Sequence, residues 1–101
     1  MLQVIWRFRA KPQKREEFRQ TYRSKGSWAK LFGRSPGYQG TMLLQDDTDP
    51  SVFVVIDRWD SKDSFARFRD LFGAEYTTLD QQCTELTDEE TLIGFFHDEV
   101  V

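Results

Sequence analysis

The segment Val52 to Ser61, reading Val-Phe-Val-Val-Ile-Asp-Arg-Trp-Asp-Ser, constrains the fold more than any other stretch of the chain. It is an apolar, β-branched run with a charged and aromatic tip, followed by a residue suited to cap a helix, and it predicts a central strand. Side chains along a strand alternate between its two faces. Val52, Val54 and Ile56 therefore share one face and Phe53, Val55 and Trp59 the other, so neither face suits water. A strand buried on both sides needs two covers. In a chain of 101 residues helices supply one, and the other is most simply the sheet of a second copy. A homodimer joined through its sheet faces is the expectation.

The remaining segments build around that strand. Leu2 to Ala10 alternate strictly: Leu2, Val4, Trp6, Phe8 and Ala10 form the row expected under helices. The other row, Gln3, Ile5, Arg7 and Arg9, suits solvent or the polar part of a subunit contact. Pro12 has no amide hydrogen to donate and ends the ladder. From about Gln13 to Phe32 the pattern is helical, with Phe18, Tyr22, Ala29 and Phe32 on one stripe. Gly26 interrupts it and predicts a kink, or two helices meeting near Ser24 to Ser27 with Ser27 capping the second.

After the Pro36-Gly37 turn, a second strand spans Tyr38 to Gln45. There Tyr38, Gly40, Met42 and Leu44 alternate against Gln39, Thr41, Leu43 and Gln45, and Gly40 marks a bulge or a close approach. Asp46 to Pro50 has turn chemistry and closes a hairpin onto the central strand; its three acids lack the extended spacing of a calcium loop. Ser61 caps a helix carrying Phe65, Phe68 and Phe72. Gly73 breaks it, after which Tyr76, Leu79, Cys83 and Leu86 keep the same face inward. Thr87 to Glu90 is polar, and Thr91 to His97 forms the last strand, with Phe95 and Phe96 on opposite sides. The order is strand, helix, strand, strand, helix, strand. It predicts an α+β, ferredoxin-like, four-stranded antiparallel sheet with helices on one face, in a single domain over residues 1–101.

Composition narrows the partners. Fourteen basic and 17 acidic residues give a formal charge of -3 with the signs mixed, which supplies no field suited to nucleic acid or to an anionic membrane surface. The basic run from Arg7 to Lys30 is interrupted by Glu16 and Glu17 and reads as a solvated helix face. No apolar run approaches the roughly 20 residues of a membrane span. Cys83, the single cysteine, has no partner for an internal disulfide, and the amino terminus lacks the apolar core of a signal peptide. A reducing cytoplasm is the expected location.

Three phrases carry a family resemblance: Gly26-Ser27-Trp28-Ala29-Lys30-Leu31-Phe32, then Pro36-Gly37-Tyr38-Gln39-Gly40-Thr41 through Leu44, then Ile56-Asp57-Arg58-Trp59-Asp60-Ser61. With Tyr76 to Cys83 and Gly94-Phe95-Phe96, they make the chain resemble antibiotic biosynthesis monooxygenase domain proteins along nearly its whole length. The resemblance implies a dimeric α/β barrel, in which two ferredoxin-like sheets close face to face and each subunit keeps a pocket between sheet and helices. The family it resembles includes oxygenases that use neither metal nor flavin, haem-degrading enzymes and many members of unknown activity. The strand-end Trp of the family, preceded two positions earlier by an acid, matches Trp59 and Asp57. The haem-degrading branch relies on an Asn in the first strand and a His in the second helix. This chain has no Asn, and its only His is His97, in the last strand.

In a cofactor-independent oxygenase the deprotonated substrate itself hands an electron to oxygen, so the protein must bind, deprotonate and shield. Trp59, Asp57 and His97 are the candidate catalytic residues, with Asp57 or His97 taking the proton. Trp6, Tyr22, Phe65 and Phe68 are the candidate contacts to a small aromatic or polyketide-like ligand. No metal or organic cofactor is expected. Each aromatic also reads as ordinary core, Asp57 as the ion-pair partner of Arg7 or Arg58, and His97 as a solvated residue beside Asp98 and Glu99. The alternative function is accordingly a noncatalytic small-ligand-binding or structural homodimer of the same fold. Periodicity alone leaves open whether Trp6 and Trp59 share a sheet face.

Overall fold

The computed structural model describes residues 1–99. Its elements are β1 (Leu2–Ala10), a 3-10 turn (Pro12–Lys14), α1 (Arg15–Tyr22), α2 (Ser27–Phe32), β2 (Tyr38–Gln45), β3 (Val52–Trp59), α3 (Lys62–Leu71), α4 (Gly73–Cys83), a second 3-10 turn (Thr84–Leu86) and β4 (Thr87–His97). The strands form one antiparallel sheet in the order β2-β3-β1-β4, the α+β ferredoxin-like arrangement predicted. β3 and β1 are central.

Pairing fixes the sidedness that periodicity left open. Leu2 lies opposite Trp59, Trp6 opposite Val55 and Phe8 opposite Phe53, so the even row of β1 and the odd row of β3 share the helix-covered face. On that face Leu2, Phe18, Phe53, Trp59 and Phe68 lose essentially all solvent contact. Phe18 of α1 stacks on Tyr22 with centroids 4.3 Å apart and leans on Phe53 at 4.8 Å. Each such ring buries on the order of 150–250 Å2 of surface, which is what holds the helices to the sheet. The opposite face carries Ile5, Val54 and Ile56, only partly covered, with Met42 and Leu44 at 50% and 44% exposure.

Three local expectations change. The cap of α2 is Gly26, not Ser27: the Gly26 carbonyl accepts from Lys30 N at 3.0 Å, and no side-chain cap is made. A Cβ at Gly26 would lie 2.5 Å from the Thr21 carbonyl oxygen and 2.6 Å from that of Gln20. Glycine alone lets α2 start this close to the end of α1. In β2, Gly40 takes φ +124° and the register shifts between Tyr38 and Gly40, a β-bulge. One extra residue reverses the alternation beyond it. Tyr38, Thr41 and Leu43 face the helices, while Met42 and Leu44 are turned to the outer face. Finally, β4 begins at Thr87 rather than Thr91, because Thr87, Glu89 and Glu90 pair with Ala10, Arg9 and Phe8. Glu89 there meets Arg7 at 3.8 Å and Arg9 at 3.9 Å.

The other breaks fall as the residues dictate. Ser61 Oγ accepts from Ser64 N at 3.1 Å to start α3. The Asp46 carboxylate accepts from the backbone of Thr48 and Asp49, which makes the hairpin connection a turn held from within. Among the described residues no helix is long and apolar enough to cross a membrane.

Candidate active site

The inward row of β3 carries a carboxylate into the core. Strand alternation sends Asp57 to the same side as Phe53, Val55 and Trp59, and leaves it 7% exposed. The same alternation sends Arg58 and Arg7 to the opposite face, so the ion pair expected for Asp57 does not form; Arg7 pairs with Glu89 instead. What reaches Asp57 is the Thr41 hydroxyl, donating to Oδ1 at 2.7 Å. Thr41 Oγ1 also meets the Tyr38 hydroxyl. Because the single Thr41 hydrogen is committed to the carboxylate, Tyr38 is the donor in that second contact. The result is a relay of hydroxyls from half-buried Tyr38 through Thr41 to Asp57. Burial pushes the Asp57 carboxyl up to about 6, against the opposing pull of the Thr41 hydrogen bond.

A cavity of about 40 Å3 opens beside this carboxylate. Its floor is buried: Asp57 and Val55 from β3, Phe8 from β1, Tyr22 from α1, Trp28 and Phe32 from α2. Its rim is reached by solvent: Trp6 from β1, Tyr76 and Asp80 from α4, Glu90 from β4. At roughly 10–15 Å3 per water, the enclosed part holds about three waters or the edge of one small ring. Burial pushes the Tyr22 phenol far above its usual range and raises the Cys83 thiol beside it. Trp28 Nε1 lies near both but has no hydrogen-bond partner of good geometry.

The candidates read from sequence thus divide. Asp57, Trp6 and Tyr22 come together on the cavity wall. Trp59 does not line it: at 0% exposure, its ring is enclosed by Phe32, Tyr38, Phe65 and Phe68 with centroids 5.3 to 5.5 Å away, and its Nε1 is unpartnered. Phe65 and Phe68 belong to that packed cluster. His97 sits opposite Leu2, two strands across from Trp59, and is exposed.

Sequence reasoning missed Thr41, Trp28, Tyr76, Asp80 and Glu90. Tyr76 and Asp80 stand four residues apart on α4, a spacing that shares one helix face and was available as a signal. For Thr41 the signal was Gly40, expected to mark a bulge or a close approach; what was not drawn from it is that the bulge turns Thr41 toward the helices. Among the described residues no three His, Cys, Asp or Glu side chains converge as metal ligands, and the three cavity acids are spread around the wall.

A family model described as "Antibiotic biosynthesis monooxygenase" matches residues 1–72. No curated protein matches the chain significantly. Among solved structures, SnoaB, a cofactor-independent oxygenase from Streptomyces nogalater, aligns at a TM-score of 0.71 and 23% identity, over 99% of this chain and 94% of that one. A candidate antibiotic biosynthesis monooxygenase of Deinococcus radiodurans aligns at 0.78 and 15% identity, over 100% and 95%. PA3566 from Pseudomonas aeruginosa aligns at 0.73 and 16% identity, over 98% and 94%. At these identities the likeness is one of fold.

Proposed function

The chain belongs to the antibiotic biosynthesis monooxygenase family, and from that premise we propose that it is a cofactor-independent monooxygenase of a small phenolic substrate, with Asp57 as the base. The observation that carries this reading is a carboxylate 7% exposed, without a cationic partner, on the wall of an aromatic cavity. An acid held at about 6 is mostly ionised at neutrality, so it is available as a base, and it is a stronger base than an ordinary carboxylate.

The reaction balances without a protein-bound oxidant. Asp57 takes the phenolic proton, and the electron-rich ring reduces oxygen and bonds to it, forming a ring hydroperoxide. Loss of the proton on that ring carbon breaks the O–O bond and releases water, so phenol plus O2 gives quinone plus H2O. Moving a proton from a phenol of pKa about 10 to a base near 6 costs about 5 kcal/mol. That fits within the roughly 17 kcal/mol barrier of a reaction running at about 1 per second. The cavity volume favours a single ring whose reacting edge enters the floor while Trp6 and Tyr76 hold the remainder.

We also propose that the functional unit is a homodimer closed through the outer sheet face, where Ile5, Val54, Ile56, Met42 and Leu44 form an apolar surface of the kind that marks an interface. That arrangement leaves the helix-side cavity open. The test is oxygen uptake with a panel of hydroquinones and naphthols, without added flavin or metal. Uptake that Asp57→Asn lowers at least 100-fold is expected. Complete inertness across the panel with a folded dimer favours the noncatalytic binding reading.

A further inference from the structure

The charge on the cavity wall is one-sided. Asp57 at the floor and Asp80 and Glu90 at the rim are acidic, and no Lys, Arg or His lines the space. Apart from Val55, the rest of the wall is ring: Trp6, Phe8, Tyr22, Trp28, Phe32 and Tyr76. Ring faces carry negative quadrupole charge and attract cations. The cation that approaches from outside, Arg69 of α3, is already stacked over the Tyr76 ring at 4.1 Å. The two rim acids are close enough to interact: Glu90 is raised from its ordinary value by partial burial and then by Asp80, and Tyr76 is raised by burial and, against Arg69, by Asp80, Asp57 and Glu90. Trp28 lends its ring to the wall, while its indole N–H is sealed away beside Tyr22 and Cys83.

We infer that this site selects a phenol bearing a positively charged substituent, the hydroxyl seated at Asp57 and an ammonium group held at the rim by Asp80, Glu90 and the ring of Trp6. The inference rests on the proposed reading of Asp57 for where the hydroxyl goes, but not on turnover. An anionic phenol meets three acids on the wall and no cationic lining residue. A metal is not the occupant, because the carboxylates stand apart around the wall. The rim acids are partly solvated, so their contribution is discounted for screening. A preference of about 10-fold over the neutral analogue, or ~1.4 kcal/mol, is the expected scale.

The experiment compares three matched probes with the intact protein at pH 7.5: tyramine, 4-ethylphenol and 4-hydroxyphenylacetate, titrated while following indole and backbone amide shifts by NMR. Tyramine is expected to bind about 10-fold more tightly than 4-ethylphenol, with 4-hydroxyphenylacetate weakest and the indole signals of Trp6 and Trp28 moving most. The preference should shrink as salt rises from 50 to 500 mM and largely vanish in the Asp80→Asn, Glu90→Gln double variant. Equal affinity for all three probes, tighter binding of the anion, or no binding of any probe overturns the inference. Parallel oxygen-uptake assays separate the two readings. A cation preference without uptake leaves this inference standing and removes the oxygenase; uptake without a charge preference does the reverse.

Discussion

The Thr41 hydroxyl donates to Asp57 Oδ1 across 2.7 Å, from the strand edge that the Gly40 bulge turned inward. This bond is the one favourable interaction identified for the ionised form of a carboxyl that burial otherwise holds protonated. Thr41→Val keeps the shape and removes the donor. A hydrogen bond to a charged group contributes about 1.5–3 kcal/mol, so the Asp57 midpoint is expected to rise above 6 by roughly 1–2 pH units. Carboxyl carbon NMR of Asp-labelled protein reads this without any assay of activity. An unchanged or lowered midpoint would show that Thr41 does not tune Asp57.

The raised carboxyl also has a stability signature. Below about 3.8 both folded and unfolded chains hold the Asp57 proton, and the group favours neither. Between 3.8 and about 6 the unfolded chain ionises while the folded one resists, so stability falls as pH rises. Above 6 the cost is constant, at about 3 kcal/mol. Asp57→Asn should therefore unfold at higher denaturant than the parent at pH 8, by about 2–3 kcal/mol, with the difference closing near pH 4. A variant less stable than the parent at pH 8 contradicts the assignment. Stability given up at one buried group is the usual mark of a site shaped for chemistry.

Which parts of this were readable from the chain alone follows from the range of the interactions involved. The strands and the helix break at Gly26 depend on neighbours within a few residues, and alternation and glycine punctuation reveal them. Asp57 shows the limit: its residue type and strand were evident, but its face follows from counting two positions from Trp59, and the expected partners Arg7 and Arg58 lie across the sheet. Trp59 was legible as important and misleading as to why, because enclosure by Phe32, Tyr38, Phe65 and Phe68 is a property of packing. Thr41 depended on a one-residue bulge, and Glu90 on the register between β1 and β4. Gly40 flags the first without fixing which residues turn inward, and no local pattern encodes the second.

Two glycines in the helical layer separate steric need from entropy. At Gly26 a methyl group collides with backbone oxygens of Thr21 and Gln20, whereas at Gly73 nothing lies within 4 Å. Gly26→Ala must push α2 from α1 and should cost at least 2 kcal/mol, as overpacking against backbone does. Gly73→Ala stiffens the unfolded chain at a compatible helical position and should gain about 0.4–1 kcal/mol. Urea titration of both variants checks the contrast; similar effects at the two sites would mean that the helix junction is not closely packed.

The proposed dimer rests on the outer sheet face. Before the bulge at Gly40, β2 alternates in one sense; after it, Met42 and Leu44 join Val54, Ile56 and Ile5 on the side away from the helices. The apolar surface of Ile5, Val54, Ile56, Met42 and Leu44, flanked by Arg7 and Arg58, is costly to leave in water at about 25 cal/mol per Å2. A second copy removes that cost, since a twofold contact presents the same patch from both subunits. The parent chain is expected to sediment as a dimer at micromolar concentration. Ile56→Glu with Met42→Glu places four like charges at the centre of the contact and should yield folded monomers, because neither residue belongs to the helix-side core. Circular dichroism distinguishes a folded monomer from an unfolded one. A parent chain that is monomeric at those concentrations, or a double variant that still dimerises, rules out closure through this face.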